Sequence, residues 1–410
     1  MKHGGNMAQY GPRPAHRPDD HFKEFCDDIF QALNRADQRR AGETYLHGLL
    51  NCDGRKSIRR MASMTPGNQS EQSLQQFINQ SPWDYHPIRE RLLNRLVRAV
   101  KPSAWVISEV AFPKHGRYSA AVHRQYVRSQ QKVSNCQLAA VAILASPEYS
   151  IPVNWRLMLP EPWGADAERR ARARLPEHEK PRPYWQYQVE TIDDMTLDWG
   201  MTPAPVVVDA RQLPTVNLLL SALADRDLQH VVNVSGNLQV RFAPDQHRPA
   251  GGMPVIRTGA RSMIWKGSIG DLVQKLPDPG RITASWPDAD GEHKHRSQFL
   301  TIPVMPVRPE SASRPSGPKQ EYQLVVEWPF GKPQPRGYWI TNVTDRSLTD
   351  LVTLIKLPRL VDTRIEEFAD RFGLRDYEGR TFAGWHHHVT LVSAAHIFSL
   401  LDAMGGSAGF

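Results

Sequence analysis

The chain has 410 residues, 40% of them hydrophobic, and a formal net charge of +8. That length points to two or three units with a sizeable core, and no apolar run approaches the roughly eighteen residues of a membrane span. The basic balance favours a polyanionic partner, and three scattered cysteines with no CxxC pair (Cys26, Cys52, Cys136) fit buried thiols in a reducing cytoplasm rather than zinc or disulfides.

Residues 1–19 mix Gly, His, Arg and Pro without an apolar core and read as a disordered lead-in. From 20 to 102 the pattern is helical. Phe22, Phe25, Cys26, Ile29, Phe30 and Leu33 recur at three- and four-residue steps, which places them on one face. Further helices are expected around 58–64, over 70–80, and from Pro82, whose ring suits a first turn, through Ile88, Leu92, Leu93, Leu96 and Val97. Thr65-Pro66-Gly67-Asn68 reads as a turn between them. Short helices flanked by Arg55, Lys56, Arg59 and Arg60 suit a helix-turn-helix-like DNA-binding domain. The alternative is a helical bundle with a solvated charged face.

At 105 the periodicity changes to strands. Trp105 to Ile107 reads as a buried strand that ends in the turn Phe112-Pro113-Lys114-His115-Gly116. Strands are expected at 118–127 and at 136–144, the latter continuously apolar and so central in its sheet. The stretch 160–183 carries Arg169, Arg170, Arg172, Arg174 and Arg182 among prolines, and reads as an exposed basic arm. Val206-Val207-Val208-Asp209, a helix at 218–223 and a strand at 231–234 fit a parallel crossover. Residues 239–335 form a β-rich insertion with a proline-rich loop at 308–319. A last strand at 337–341 and helices at 348–357, 361–372 and 389–401 complete a core made of 103–238 and 336–403.

Several segments carry a resemblance. They are Ala104-Trp105-Val106-Ile107-Ser108-Glu109-Val110-Ala111-Phe112-Pro113-Lys114, Pro205-Val206-Val207-Val208-Asp209-Ala210, Arg364-Ile365-Glu366, and Tyr377-Glu378-Gly379-Arg380 leading to Trp385-His386-His387-His388. Together with Gln72 to Asp84 they resemble insertion-sequence transposases of the DDE type, over about residues 20 to 400. The resemblance implies an α/β fold: a ribonuclease H-like mixed sheet with flanking helices, an N-terminal helical domain and a β-rich insertion. It also implies DNA strand cleavage and transfer by two Mg2+ ions, which want carboxylate ligands. The matching positions are Ser108 on the first strand, Asp209 at a strand end and Glu366 on a late helix, with Glu378 as an alternative third acid. An aspartate at a strand end is also an ordinary helix cap.

Ser108 departs from the family's acid, and a hydroxyl is a poor Mg2+ ligand beside a carboxylate. Glu109 is adjacent, but strand neighbours point to opposite faces, so only a bulge would bring it in. The places of the family's basic helix partners hold Asp362 and Gly373. Three consecutive histidines cannot all face one ion, which favours a structural or phosphate-contacting role. The leading expectation is therefore a DNA-binding, transposase-family protein with impaired or lost cleavage. Its phosphate contacts would come from Arg55, Lys56, Arg59, Arg60, Lys114, Arg169, Arg170, Arg172, Arg380 and His386. The alternatives are an active Mg2+-dependent enzyme rebuilt around Glu109, and a fold reused for small-molecule chemistry or protein interaction. Expected partners are DNA, at terminal inverted repeats or a regulatory site, and a second copy of the chain. No membrane is expected, and the expected location is a nucleoid-associated cytoplasmic one.

Overall fold

The computed structural model describes residues 20–64, 70–242, 265–276, 280–287, 293–307 and 321–404. The expected lead-in, the turn at 65–68 and the loop at 308–319 lie outside them.

The helical stretch forms α1 (Asp20–Phe30), α2 (Ala36–Asn51), α3 (Ile58–Ser63), α4 (Glu71–Asn79) and α5 (His86–Ala99). Ser70 caps α4 by accepting the Ser73 N–H at 3.1 Å, satisfying a donor that the first turn leaves open. The helix expected from Pro82 starts later: α5 begins at His86 and uses Pro87 in its first turn. Ahead of it, the Trp83 indole N–H donates to the Phe77 carbonyl at 3.1 Å, which holds Pro82 and Trp83 in an extended linker.

Strands β1 (Ala104–Pro113), β2 (His123–Val127), β3 (Lys132–Ala145) and β4 (Ser150–Met158) follow. β3 is the antiparallel centre: Ala104 to Pro113 pair along one edge, while β2 and β4 share the other. Two expectations change here. The strand expected at 118–127 is confined to 123–127, because the preceding loop turns through Ala121 at φ 60°, a left-handed conformation no strand residue adopts. β4 went unread because Pro152, Asn154 and Arg156 interrupt its apolar run.

The basic arm at 160–183 folds into α6 (Pro162–Ala165) and α7 (Ala167–Ala173), followed by α8 (Tyr184–Asp193), which runs into a π-helical turn at Asp194–Asp198. Then come β5 (Val206–Asp209), α9 (Val216–Asp225) and β6 (His230–Val234), with β5 parallel to both β1 and β6. The insertion supplies β7 (Gln239–Phe242), β8 (Trp265–Ser268), α10 (Ile269–Lys275), β9 (Ile282–Pro287), β10 (Lys294–Pro306) and β11 (Tyr322–Pro329). It does not stand apart. β12 (Gly337–Thr341) pairs β6 on one edge and β11 on the other, so the order β2-β3-β1-β5-β6-β12-β11-β10-β7-β8 is one continuous mixed sheet.

Two long helices close the chain, α11 (Leu348–Phe372) and α12 (Phe382–Ala403). α11 was expected as two pieces broken at Pro358. It is continuous, with Ser347 capping its start (Asp350 N–H, 3.2 Å) and Gly373 at φ 70° ending it. α12 starts at Phe382, earlier than expected, where the Thr381 hydroxyl accepts the Gly384 N–H at 3.1 Å. α11 packs over β1 and β5, and α12 over β4. The helices α2, α4 and α5 pack in turn on α12, and their apolar faces belong to the same core as the sheet. Arg89 pins this junction. It is 1% exposed and donates to Thr390 Oγ1 (2.8 Å), Asn154 Oδ1 (3.0 Å) and the Trp155 carbonyl (2.7 Å). Among the described residues no helix is long and apolar enough to cross a membrane.

Candidate active site and nucleic-acid surface

The β1–β5 register sets the site. Trp105 pairs Val206, Val106 pairs Val207 and Ile107 pairs Val208, so one step further Ser108 comes level with Asp209. Level residues on parallel strands send their side chains to the same face. That face is the one α11 covers. Phe112, on Ser108's side of β1, meets Trp385 of α12 edge-on at 5.2 Å. On α11, Asp362 and Glu366 lie one turn apart and therefore share one side of the helix. The three positions marked by resemblance are thus brought together on neighbouring elements, with Asp362 added.

Asp209 and Glu366 each have an arginine partner. Asp209 accepts the Arg211 backbone N–H at 3.2 Å, the turn-capping role of a strand-end aspartate. The Arg211 guanidinium also grips both its oxygens, Nε to Oδ1 at 3.0 Å and a terminal nitrogen to Oδ2 at 2.6 Å. Glu366 is held the same way by Arg375, at 2.6 and 2.7 Å. Asp362 is pushed up to about 6, first by lost solvation, then by the Asp209 charge and more weakly by Glu366, with Arg211 opposing. In the sequence Asp362 stands where the family's basic helix partner is expected. Its i, i+4 spacing to Glu366 was the available signal that it joins the acids.

Glu109 goes the other way. Its carboxylate is buried on the opposite face, accepting the Arg128 backbone N–H at 2.9 Å and pairing the Arg128 guanidinium at 2.5 Å. Arg128 in turn stacks on Tyr184 of α8 at 4.4 Å. No bulge interrupts the β1–β3 register at Ser108 or Glu109, so the in–out alternation expected there holds. Glu378 pairs Arg55 at 2.7 Å, beyond the far end of β1. Among the described residues no three His, Cys, Asp or Glu side chains gather so as to hold a metal ion.

The expected phosphate contacts divide. Arg59 and Arg60 on α3, Arg172 and Arg380 are exposed. Arg55 is exposed but paired with Glu378, and Arg169 pairs Asp166 at 3.1 Å. Three others are corrected. Lys56 is buried and donates its ammonium to the Cys52 carbonyl. Arg170 spends its guanidinium on the carbonyls of Pro176 (3.0 Å) and Glu179 (2.8 Å), folding the arm on itself. His386 is 2% exposed, and its Nδ1 accepts from Arg89 at 3.1 Å. Burial, then the Arg89 charge, holds it well below the usual histidine range, so it stays neutral inside the core. His387 lies between the carbonyls of Ile78 and Trp83, and His388 between Tyr45 and Gly373. The histidine triplet is structural. Lys114 is half committed: it donates to the Tyr377 carbonyl at 2.7 Å, and burial lowers its pKa.

The family described as DDE superfamily endonuclease matches residues 28–290. The chain belongs to that superfamily. Its mixed sheet with flanking helices is the ribonuclease H-like fold expected of it, so the resemblance read from the sequence holds at the level of family and fold. A curated relative, described as a probable transposase for insertion sequence element IS701 from Microchaete diplosiphon, is 24% identical over 242 residues. That match takes in 58% of this chain and 59% of the relative, so the likeness covers somewhat over half of each. The chemistry of that superfamily is nucleic-acid cleavage and transfer.

Proposed function

We propose that this chain is a DNA-binding protein of the insertion-sequence transposase group whose strand cleavage and transfer are impaired or lost. One observation carries the reading. Level with Asp209, on the face that α11 covers, β1 presents the Ser108 hydroxyl, while the neighbouring carboxylate of Glu109 is salt-bridged on the other face.

The donors at the cleft do not fit a pair of divalent ions. Two Mg2+ ions side by side need anionic oxygens between and beside them. Here β1 offers a neutral oxygen, Asp209 and Glu366 are each engaged by an arginine, and lost solvation and the Asp209 charge raise the Asp362 pKa to about 6. The Arg211–Asp209 pair is exposed and the Arg375–Glu366 pair largely so, and such pairs are worth about 1 kcal/mol at most. They alone would not bar a metal. The carboxylate missing from β1 is the larger loss.

DNA binding is supported by the basic balance and by exposed arginines on α3, α7 and the segment before α12. The DNA would be the ends of a mobile element or a regulatory site, and two copies of the chain would bind such ends together. A second reading, small-molecule chemistry, draws only on a cavity of about 550 Å3 between α5, β4, α8 and the start of α12, which none of the cleft acids lines. The deciding experiment compares wild type with Ser108→Asp in a Mn2+-dependent plasmid-nicking assay. Nicking gained by the variant supports the proposal. Equal nicking by both proteins, abolished by Asp209→Ala, would overturn it.

A further inference from the structure

Three segments distant in sequence bring arginines to one exposed tyrosine. Arg117 precedes Tyr118 in the loop after β1, and its guanidinium lies 5.3 Å from the ring centre while donating to the phenol oxygen at 3.2 Å. Arg172 of α7 lies 4.7 Å from the same ring, and Arg380, just before α12, lies 5.9 Å from it. All four residues are exposed, Tyr118 by 36%. Arg172 has one acidic partner, Glu168 at 2.6 Å. Among the described residues, Arg117 and Arg380 have none.

Three like charges around one ring repel, and cation–π attraction at an exposed site returns only about 0.5–1 kcal/mol each. The loop that carries Arg117 and Tyr118 is nevertheless tied to its neighbours. The Ala120 N–H donates to the Arg380 carbonyl at 2.9 Å, and the Ala120 carbonyl accepts the Gln137 amide at 2.6 Å. The next residue, Ala121, sits buried at φ 60°, a conformation that costs an L-residue roughly 1–2 kcal/mol. Strain and clustered charge of this kind persist where a surface is shaped for a partner. Planar guanidiniums fixed in place are the donors suited to phosphate oxygens.

We propose that Arg117, Arg172 and Arg380, arranged on Tyr118, form a clamp for the phosphate backbone of duplex DNA. This rests on the DNA-binding reading above and gives it a place on the surface. Because the guanidiniums lie against the tyrosine ring, the contact is to phosphates and carries no base sequence.

The test is the salt dependence of binding to a mixed-sequence duplex by fluorescence anisotropy, comparing wild type, the double variant Arg117→Ala/Arg380→Ala and, as a control, Arg98→Ala at an exposed arginine in the last turn of α5. Each lost phosphate contact flattens the slope of log affinity against log salt by about 0.9. Between about 0.05 and 0.2 M salt the double variant should therefore lose about 12-fold less affinity than wild type, with the control unchanged. A double-variant slope equal to wild type overturns the clamp while leaving DNA binding standing. A wild type that does not bind at low salt removes the underlying reading as well. Polyglutamate displacing the duplex from wild type as well as unlabelled DNA does would assign the cluster to an acidic protein instead, and would also overturn it.

Discussion

Replacing Asp362 by Asn removes one carboxylate from the crowd where β5 meets α11. In the native protein, lost solvation and then the Asp209 charge raise this acid from 3.8 to about 6. A raised carboxyl has a definite sign. Below 3.8 it is protonated in both states and costs nothing. Between 3.8 and about 6 the unfolded chain ionises first, so its contribution falls as pH rises, and above 6 the full penalty remains. A displacement of that size corresponds to roughly 3 kcal/mol without screening. Asp362 is exposed, so about 1 kcal/mol is what water leaves of it. Asp362→Asn should therefore be more stable than wild type by about 1 kcal/mol at pH 7, with the gap closing towards pH 4 and narrowing in high salt. Urea unfolding midpoints at low ionic strength across that pH range measure it. A variant equally or less stable at pH 7, or a gap independent of pH, would refute the claim that lost solvation and the Asp209 charge penalise an ionised Asp362 at the α11–β5 contact.

Other outcomes follow from the packing. Arg89→Met keeps the buried stem but leaves the Trp155 carbonyl, Thr390 and His386 without their donor; it should cost about 3–5 kcal/mol, read from the same midpoints. Gly373→Ala forces a side chain onto φ 70° and drives its methyl into Lys56 and Asp376; a loss above about 1 kcal/mol is expected, with no change in DNA affinity. His388 and His230 are both lowered to about 4, chiefly by burial, so each stabilises the fold fully above pH 6.5. That contribution drains away as pH falls from 6.5 to 4, by about 3 kcal/mol for each, and His388→Gln should flatten the acid limb of the stability curve.

Much of the fold was legible because its strands are apolar runs. β1, β5 and β3 from Cys136 onward bury nearly every side chain, and only fully covered strands need such sequences. The failures have physical causes too. Pro358 reads as a break, yet α11 carries it, because packing over the sheet holds the helix together on both sides of it. The start of α12 was invisible since three histidines are not apolar, although all three are buried with their ring nitrogens engaged by the core. At the site, the in–out alternation correctly kept Glu109 away from Asp209. The grip of Arg375 on Glu366 and the approach of Asp362 to Asp209 depend on how chain segments meet in space, and no local pattern announces either. Counting basic residues also overstated the DNA surface. Lys56 and Arg170 are long enough to satisfy buried carbonyls, and they do so.

The central claim is that the protein binds DNA while its acid cleft lacks the anionic oxygens for metal-dependent cutting. Its most direct test is the wild-type protein itself, mixed with a plasmid carrying the sequences that flank its gene, in Mg2+ and then in Mn2+, with binding and nicking read from the same samples. The account predicts a bound, uncut plasmid in both metals. Nicks that appear with either metal and vanish in Asp209→Ala would contradict it.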